Sequence, residues 1–310
     1  MLGAMSSSAR PSRTAKKIAR LLLLADRVPG IREVLPAQFA ADVEPVLRAS
    51  GAFRSFEIDA MQRPSALHFH AWTERLFGRG HLLWFALRKR WIADRAEAAI
   101  ASGVRQVVVV GAGFDPLATA IAHRHPAVSC IEVDAPGTAV PKRTGIERAG
   151  RSVANLEVVA ADLSQVALIE VLRAHGWDAS QPSFVAAEGL LMYLRPDAVE
   201  AFFRGLATLP DGSRLAFTSV FADANGGPRL GTLDGVTRFV LRLAGEPMTW
   251  GIEPTDVPSF LARVGWAVAA QPTSDDLRHT YLDPLGLHAE PLIPYEHLVL
   301  AEPRREPTNA

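Results

Sequence analysis

Three features of this 310-residue sequence predict an α/β fold built on a mostly parallel sheet. Val107, Val108, Val109 and Val110 form an unbroken apolar run that stops at Gly111, Ala112, Gly113, Phe114 and Asp115. Such a run suits a strand buried on both faces, where alternation is not required. From residue 105 onward, short apolar segments alternate with helix-length segments, the pattern of successive strand–helix–strand units. Before that point, residues 12–95 carry helical periodicity and no convincing strand. The expected organisation is an N-terminal helical cap over residues 1–85 and a sheet domain over 86–310, with a helical insertion at about 221–263 lying over the site.

In chain order, Ser12 or Thr14 can cap a first helix whose apolar side holds Ile18, Leu21 and Leu22. Pro29 and Gly30 end it. Further helices are expected over 37–49, 71–77 and 82–101, with a loop at 62–65. Strands are expected at 105–110, 128–133, 155–160, 183–187, 214–220, 266–270 and 296–300. Helices between them are expected at 116–125, 141–149, after Asp162 to His175, and at 197–209 behind Pro196. Within the insertion, a loop at 225–228 and helices at 233–243 and 258–264 are expected.

Lysine plus arginine equals aspartate plus glutamate at 33 each, so charge does not call for nucleic acid or an anionic membrane. A small-molecule partner is favoured. The single cysteine, Cys130, excludes an intramolecular disulfide and fits a reducing cytoplasm. No apolar stretch reaches the roughly 20 residues that span a bilayer. The run 18–25 lacks a small-residue cleavage site after it and is read as a helix.

The glycine turn after the first strand admits three nucleotide readings. A dinucleotide fingerprint wants glycine or alanine three places after Gly113, where Pro116 stands. A phosphate-binding loop needs a lysine followed by serine or threonine, and none follows. S-adenosylmethionine has no phosphates, so its turn needs close backbone approach without an anion nest; Asp115 is tolerable beside a sulfonium and an ammonium group. About twenty residues on, Glu132 and Asp134 stand where such folds grip ribose hydroxyls.

The run from Val107 to Asp115, then Glu132, Val133 and Asp134 with Lys142 downstream, then Asp162 and Leu163, then Ala187, Glu188, Gly189, Leu190, Leu191, Met192, Tyr193 and Leu194, resembles the leucine carboxyl methyltransferase family. Arg88 to Asp94 resembles that family's RTRYFDD-like helix, and Ser12, Arg13, Thr14 and Ala15 resemble its SRTA start. Gly245, Glu246 and Pro247, followed by Gly251, Ile252, Phe260 and Leu261, recur in its bacterial members. The family includes the enzyme that methylates the C-terminal carboxylate of a protein phosphatase catalytic subunit and many bacterial small-molecule O-methyltransferases.

The resemblance implies a Rossmann-like class I methyltransferase sheet of seven strands, the last antiparallel, and S-adenosylmethionine as cofactor with S-adenosylhomocysteine as product. Position by position, it implies Arg88 as the arginine on the methionine carboxylate and Gly111 and Gly113 as the lining of the methionine portion. It implies Asp134 as the ribose acid, with Glu132 as the alternative, Asp162 and Leu163 as the adenine pair, and Glu188 as a cofactor-facing glutamate near the ammonium. Pro116, Leu117, Ala118 and Thr119 depart from a TRAY-like sequence.

The expected activity is an in-line methyl transfer to a small-molecule carboxylate or to a phenolic or other hydroxyl group, in a cytoplasmic enzyme of secondary metabolism. A carboxylate acceptor is ionised at neutral pH and needs no general base; a phenol or alcohol benefits from one. Tyr193 and His70 are the candidates for that role, among a wider set of His68, Trp72, His81, His279 and Tyr281. No third ligand accompanies His68 and His70, so a metal is not expected. Modification of a protein C-terminus and a non-catalytic cofactor-binding subunit remain alternatives. The sequence is silent on oligomeric state.

Overall fold

The computed structural model describes residues 11–37, 39–77, 79–223, 227–229, 247–293 and 295–305. Helix α1 (Arg13–Ala25) begins at Ser12, whose Oγ accepts the Ala15 N–H at 3.1 Å. One of the helix's orphan amides is thereby satisfied. Its inner side buries Ala19, Leu22, Leu23 and Leu24. Then come α2 (Ile31–Val34), α3 (Phe39–Ala49), α4 (Ser55–Met61), α5 (Pro64–Phe77) and the long α6 (His81–Ala101). The expected loop at 62–65 gives way to α5 at Pro64, because proline suits the first helical turn, where its missing N–H loses no bond.

The alternating half comprises β1 (Gln106–Val110), α7 (Leu117–Arg124), β2 (Ser129–Asp134), α8 (Pro136–Arg148), β3 (Leu156–Ala160), α9 (Leu168–Ala174) and β4 (Ser183–Ala187). A 3₁₀ turn at Leu191–Tyr193 leads to α10 (Pro196–Leu206), β5 (Arg214–Val220), α11 (Val257–Arg263), β6 (Trp266–Ala270), α12 (Ser274–Leu277) and β7 (Glu296–Pro303). Helix α8 starts earlier than expected, again at a proline, Pro136. The helix expected at 233–243 lies outside the described residues, as does part of the loop at 225–228.

The described residues form one sheet of seven strands in the order β3-β2-β1-β4-β5-β7-β6. Strands β1 to β5 pair in parallel, and β7 runs antiparallel to both β5 and β6. This is the Rossmann-like arrangement expected, with the last strand reversed. The order changes direction between β1 and β4, and the crevice at the carboxyl ends of two such strands is where open α/β sheets bind ligands.

All five residues of β1 are buried, which explains valines without alternation. On one face a single apolar cluster joins α1, α3 and α6 to β1 and α7, with Leu22, Leu47, Leu87 and Ile121 among its buried members. On the other face, Phe203 of α10 packs edge-on against Phe217 of β5 and Phe260 of α11. Helix α6 runs unbroken through position 85, so the helices before it and the sheet share one core. Helices α3 and α8 meet backbone to backbone: a Cβ on Gly145 would lie 2.4 Å from the Val46 carbonyl oxygen. Among the described residues no helix is long and apolar enough to cross a membrane.

Candidate active site

The turn after β1 is held open by two glycines in left-handed conformation, Gly111 at φ +67° and Gly113 at φ +52°, which glycine adopts without the usual Cβ clash. A Cβ on Gly111 would come within 2.9 Å of Leu190 Cδ1, so the loops following β1 and β4 touch. Gly113 donates its N–H to Asp134 Oδ2 at 2.6 Å, and Ala135 donates to Asp134 Oδ1 at 2.7 Å. Burial raises the Asp134 carboxyl above its ordinary range, against the pull of those two amides. Helix α1 closes over the turn: Ala15 Cβ lies 3.6 Å from where a Gly113 Cβ would be, and Ser12 N donates to Thr138 Oγ1 at 3.2 Å.

From α6, two adjacent cations enter the crevice. Arg88 donates Nε–H to Glu188 Oε1 at 2.7 Å, just past β4, and Nη1–H to Glu296 Oε1 at 2.8 Å, the first residue of β7. Lys89 Nζ pairs with Asp115 Oδ2 and lies 2.9 Å from Glu188 Oε1. Trp84, one turn before Arg88, donates its indole N–H to the other Glu296 oxygen. Burial disfavours the charge on Arg88, but Glu296 and Glu188 hold its guanidinium above its usual value. Lys89 is likewise raised against burial by Asp115 and Glu188.

Asp115 is engaged within the protein itself. Its Oδ1 accepts the Leu117 N–H at 2.7 Å at the start of α7, and its charge pairs with Lys89, which holds the carboxyl below its ordinary range despite burial. Lys142 donates to the Asp115 carbonyl oxygen at 2.6 Å and lies 2.5 Å from Glu132 Oε2. Burial pushes Glu132 up to about 7, against Lys142. Of the two acids near the end of β2, Asp134 is the one held at the glycine turn.

The other expected residues are more dispersed. Asp162, half-buried after β3, accepts from Ser164 N at 3.0 Å and Ser164 Oγ at 2.6 Å, with half-buried Leu163 beside it in sequence. Tyr193 is half-buried in the 3₁₀ turn, its N–H on the Leu190 carbonyl at 3.0 Å. His70 of α5 lies 3.4 Å from Glu74, whose Oε1 accepts the Leu82 N–H at 3.0 Å near the start of α6. His68 Nδ1 contacts the Pro64 carbonyl within its own helix, Trp72 stacks on Phe69 at the surface, and exposed His279 lies 3.5 Å from Asp283. Two partners went unpredicted: Glu296, and Tyr295, whose hydroxyl hydrogen-bonds His81 Nε2. Both precede or open an apolar strand more than 200 positions from the α6 residues they bond, and no local pattern marks them.

The leucine carboxyl methyltransferase family model matches residues 44–207, over half of the sequence. The chain belongs to this family. Its relatives include a protein of Mycolicibacterium paratuberculosis that is 35% identical over 61% of this chain and 64% of its own length. Another, of Mycobacterium sp. (strain KMS), is 32% identical over 79% of this chain and 86% of its own. Both are provisionally named S-adenosyl-L-methionine-dependent methyltransferases. The first of these matches thus spans a little under two thirds of the relative. A solved structure of a provisionally named methyltransferase from Thermobifida fusca shares the fold, with a TM-score of 0.52, 15% identity and 96% of each chain covered.

The cofactor of the family is S-adenosylmethionine, and the residues present fit it. Opposite charges of Arg88 and Glu188 stand side by side at the β1/β4 crevice, as an amino-acid zwitterion requires. Gly111 leaves no side chain between that crevice and the Leu190 loop. Each Asp134 oxygen accepts one backbone amide and retains a lone pair for a ribose hydroxyl.

Proposed function

We propose that this chain is an S-adenosylmethionine-dependent O-methyltransferase acting on a small-molecule carboxylate or hydroxyl group. The observation that carries this reading is the Arg88–Glu188 pair at the crevice between β1 and β4, on the same rim as the Gly111 turn and Asp134. When bound, the cofactor supplies an electrophilic methyl group on a positively charged sulfur. Arg88 holds the methionine carboxylate through donors directed toward Gly189, whose Cβ position lies 3.7 Å from Arg88 Nη2. Glu188 receives the ammonium, Asp134 the ribose hydroxyls, and Asp162 with Leu163 the adenine.

The remaining work of the protein is alignment and exclusion of water. Holding an acceptor oxygen at roughly 3–3.5 Å and in line with the departing bond supplies much of the rate. Helix α1 over the glycine turn, together with the helices up to α5, forms the cap that keeps water out while opposite charges neutralise. Buried Cys130 and a balanced charge fit a cytoplasmic enzyme working on small metabolites. Isothermal titration tests the reading: S-adenosylhomocysteine binds the wild-type protein and binds Asp134→Ala far more weakly. A well-folded wild-type protein with no affinity for it overturns the proposal.

A further inference from the structure

His81, Trp84 and Arg88 stand at spacings of three and four, so they share one face of α6. That face meets the start of β7: Trp84 and Arg88 bond Glu296, and His81 bonds Tyr295. Glu296 pairs with Val220, the last residue of β5, and the Tyr295 carbonyl accepts the Phe221 N–H at 2.8 Å. The His81–Tyr295 pair therefore sits on the strand-end rim that carries Glu188. Two strand spacings separate β4 from β7, roughly 10 Å, and seven residues of helix rise separate His81 from Arg88, also about 10 Å. A methionine chain plus one reacting oxygen fills such a span.

Both members of the pair are half-buried. The described cations of the rim, Arg88, Lys89 and Lys142, are each engaged by carboxylates. Burial and neighbouring Glu296 push the Tyr295 phenol up to about 12. A carboxylate acceptor at Tyr295 would therefore meet a second negative charge, whereas a neutral hydroxyl would not. Glu74, hydrogen-bonded to Leu82 N, and His70 beside it also lie near the start of α6. A phenol is un-ionised at neutral pH, and an imidazole behind it is a suitable proton acceptor.

We propose that Tyr295 and His81 form the proton-accepting pair for a phenolic acceptor, which rests on the methyltransferase reading above. The acceptor oxygen forms its bond to the methyl carbon as the carbon–sulfur bond breaks and leaves its electron pair on sulfur. The acceptor proton passes to Tyr295 Oη while the tyrosine proton passes to His81 Nε2, which later releases it to water. Tyr295 is the catalytic residue, and His81 acts through it.

The test compares wild-type protein, Tyr295→Phe and His81→Gln. Glutamine keeps a polar partner for Tyr295 but takes no proton. S-adenosylhomocysteine affinity stays within about twofold in His81→Gln, which shows that the fold and cofactor site persist. With that product bound, the phenolate absorbance of para-nitrophenol appears at lower pH on wild-type protein than on Tyr295→Phe. Methyl transfer to para-cresol, a weakly acidic phenol, falls about 10²–10⁴-fold in His81→Gln. Transfer to the more acidic para-nitrophenol falls less than about tenfold. Equal losses on both phenols, no loss on either, or transfer by the wild type to benzoate and to no phenol overturns the inference. Failure of the wild type to bind S-adenosylhomocysteine overturns the reading beneath it instead.

Discussion

Arg88 on α6 donates to Glu296 at the head of β7 across 2.8 Å, and so joins the helix that precedes the sheet to the strand inserted last in sequence. The same guanidinium donates to Glu188, so one cation bridges two carboxylates from different parts of the sheet. Removing it leaves both facing one another in a buried crevice, with Lys89 as the remaining neutralising charge described beside Glu188. Arg88→Met is expected to destabilise the protein by about 3–5 kcal/mol, measured by urea unfolding. The same variant loses S-adenosylhomocysteine affinity by at least about 100-fold in calorimetry, or roughly 2.7 kcal/mol. Arg88→Lys rescues only part of either, because an ammonium lacks the fork that reaches two carboxylates.

Asp134 has a smaller structural role and a larger expected role in binding. In Asp134→Ala the Gly113 and Ala135 amides lose their acceptor, which costs about 1–3 kcal/mol of stability. Cofactor affinity falls more than stability, by at least about tenfold, since ribose recognition and the shape of the turn are lost together. Differential scanning calorimetry with and without S-adenosylhomocysteine separates the two effects: the ligand-induced rise in Tm shrinks more than the ligand-free Tm.

Gly145 tests packing alone. A Cβ there would meet the Val46 backbone oxygen at 2.4 Å, and backbone cannot rotate away as a side chain can. Gly145→Ala is expected to cost about 1–3 kcal/mol or somewhat more by forcing α3 from α8. Gly51, at φ +73° with open space around it, provides the contrast. Gly51→Ala carries only the left-handed penalty, about 1–2 kcal/mol. Chemical denaturation of both variants distinguishes crowding from backbone strain.

His297, buried on β7 and edge-on to Phe221, gives a signature in acid. Burial pushes its imidazole down to about 4 from an ordinary 6.5. Between those values the unfolded chain binds the proton that the folded chain refuses, so stability falls as pH drops through that window. His297→Leu removes this contribution. Its stability is expected to vary less than the wild type's between about pH 6.5 and 4, as measured by urea unfolding at each pH.

Much of the sheet is visible in the sequence. Strands β4, β5 and β6 coincide with their expected bounds because each is a short, mostly apolar segment closed by turn residues. The glycine turn, Asp134 and Glu188 are visible for a related reason: they close or directly follow strands, and a parallel sheet gathers such positions on one edge. Tyr295 and Glu296 are not visible, because their place depends on β7 entering between β5 and β6. The Lys89–Asp115 pair is not visible either, since Lys89 reaches Asp115 only once α6 has packed on the sheet. The short helices α2 and α4 escaped because four and seven residues carry too little periodicity.

Ala15 rests against the glycine turn, and Ser12 bonds to α8, so the first turn of α1 lies across the part of the crevice proposed above for the methionine chain. With the cofactor in the proposed place, its exchange would require that turn to lift, and turnover would be paced by the first turn of α1 instead of by the transfer step. Substitutions at Ser12 would tune residence time without touching the reacting atoms.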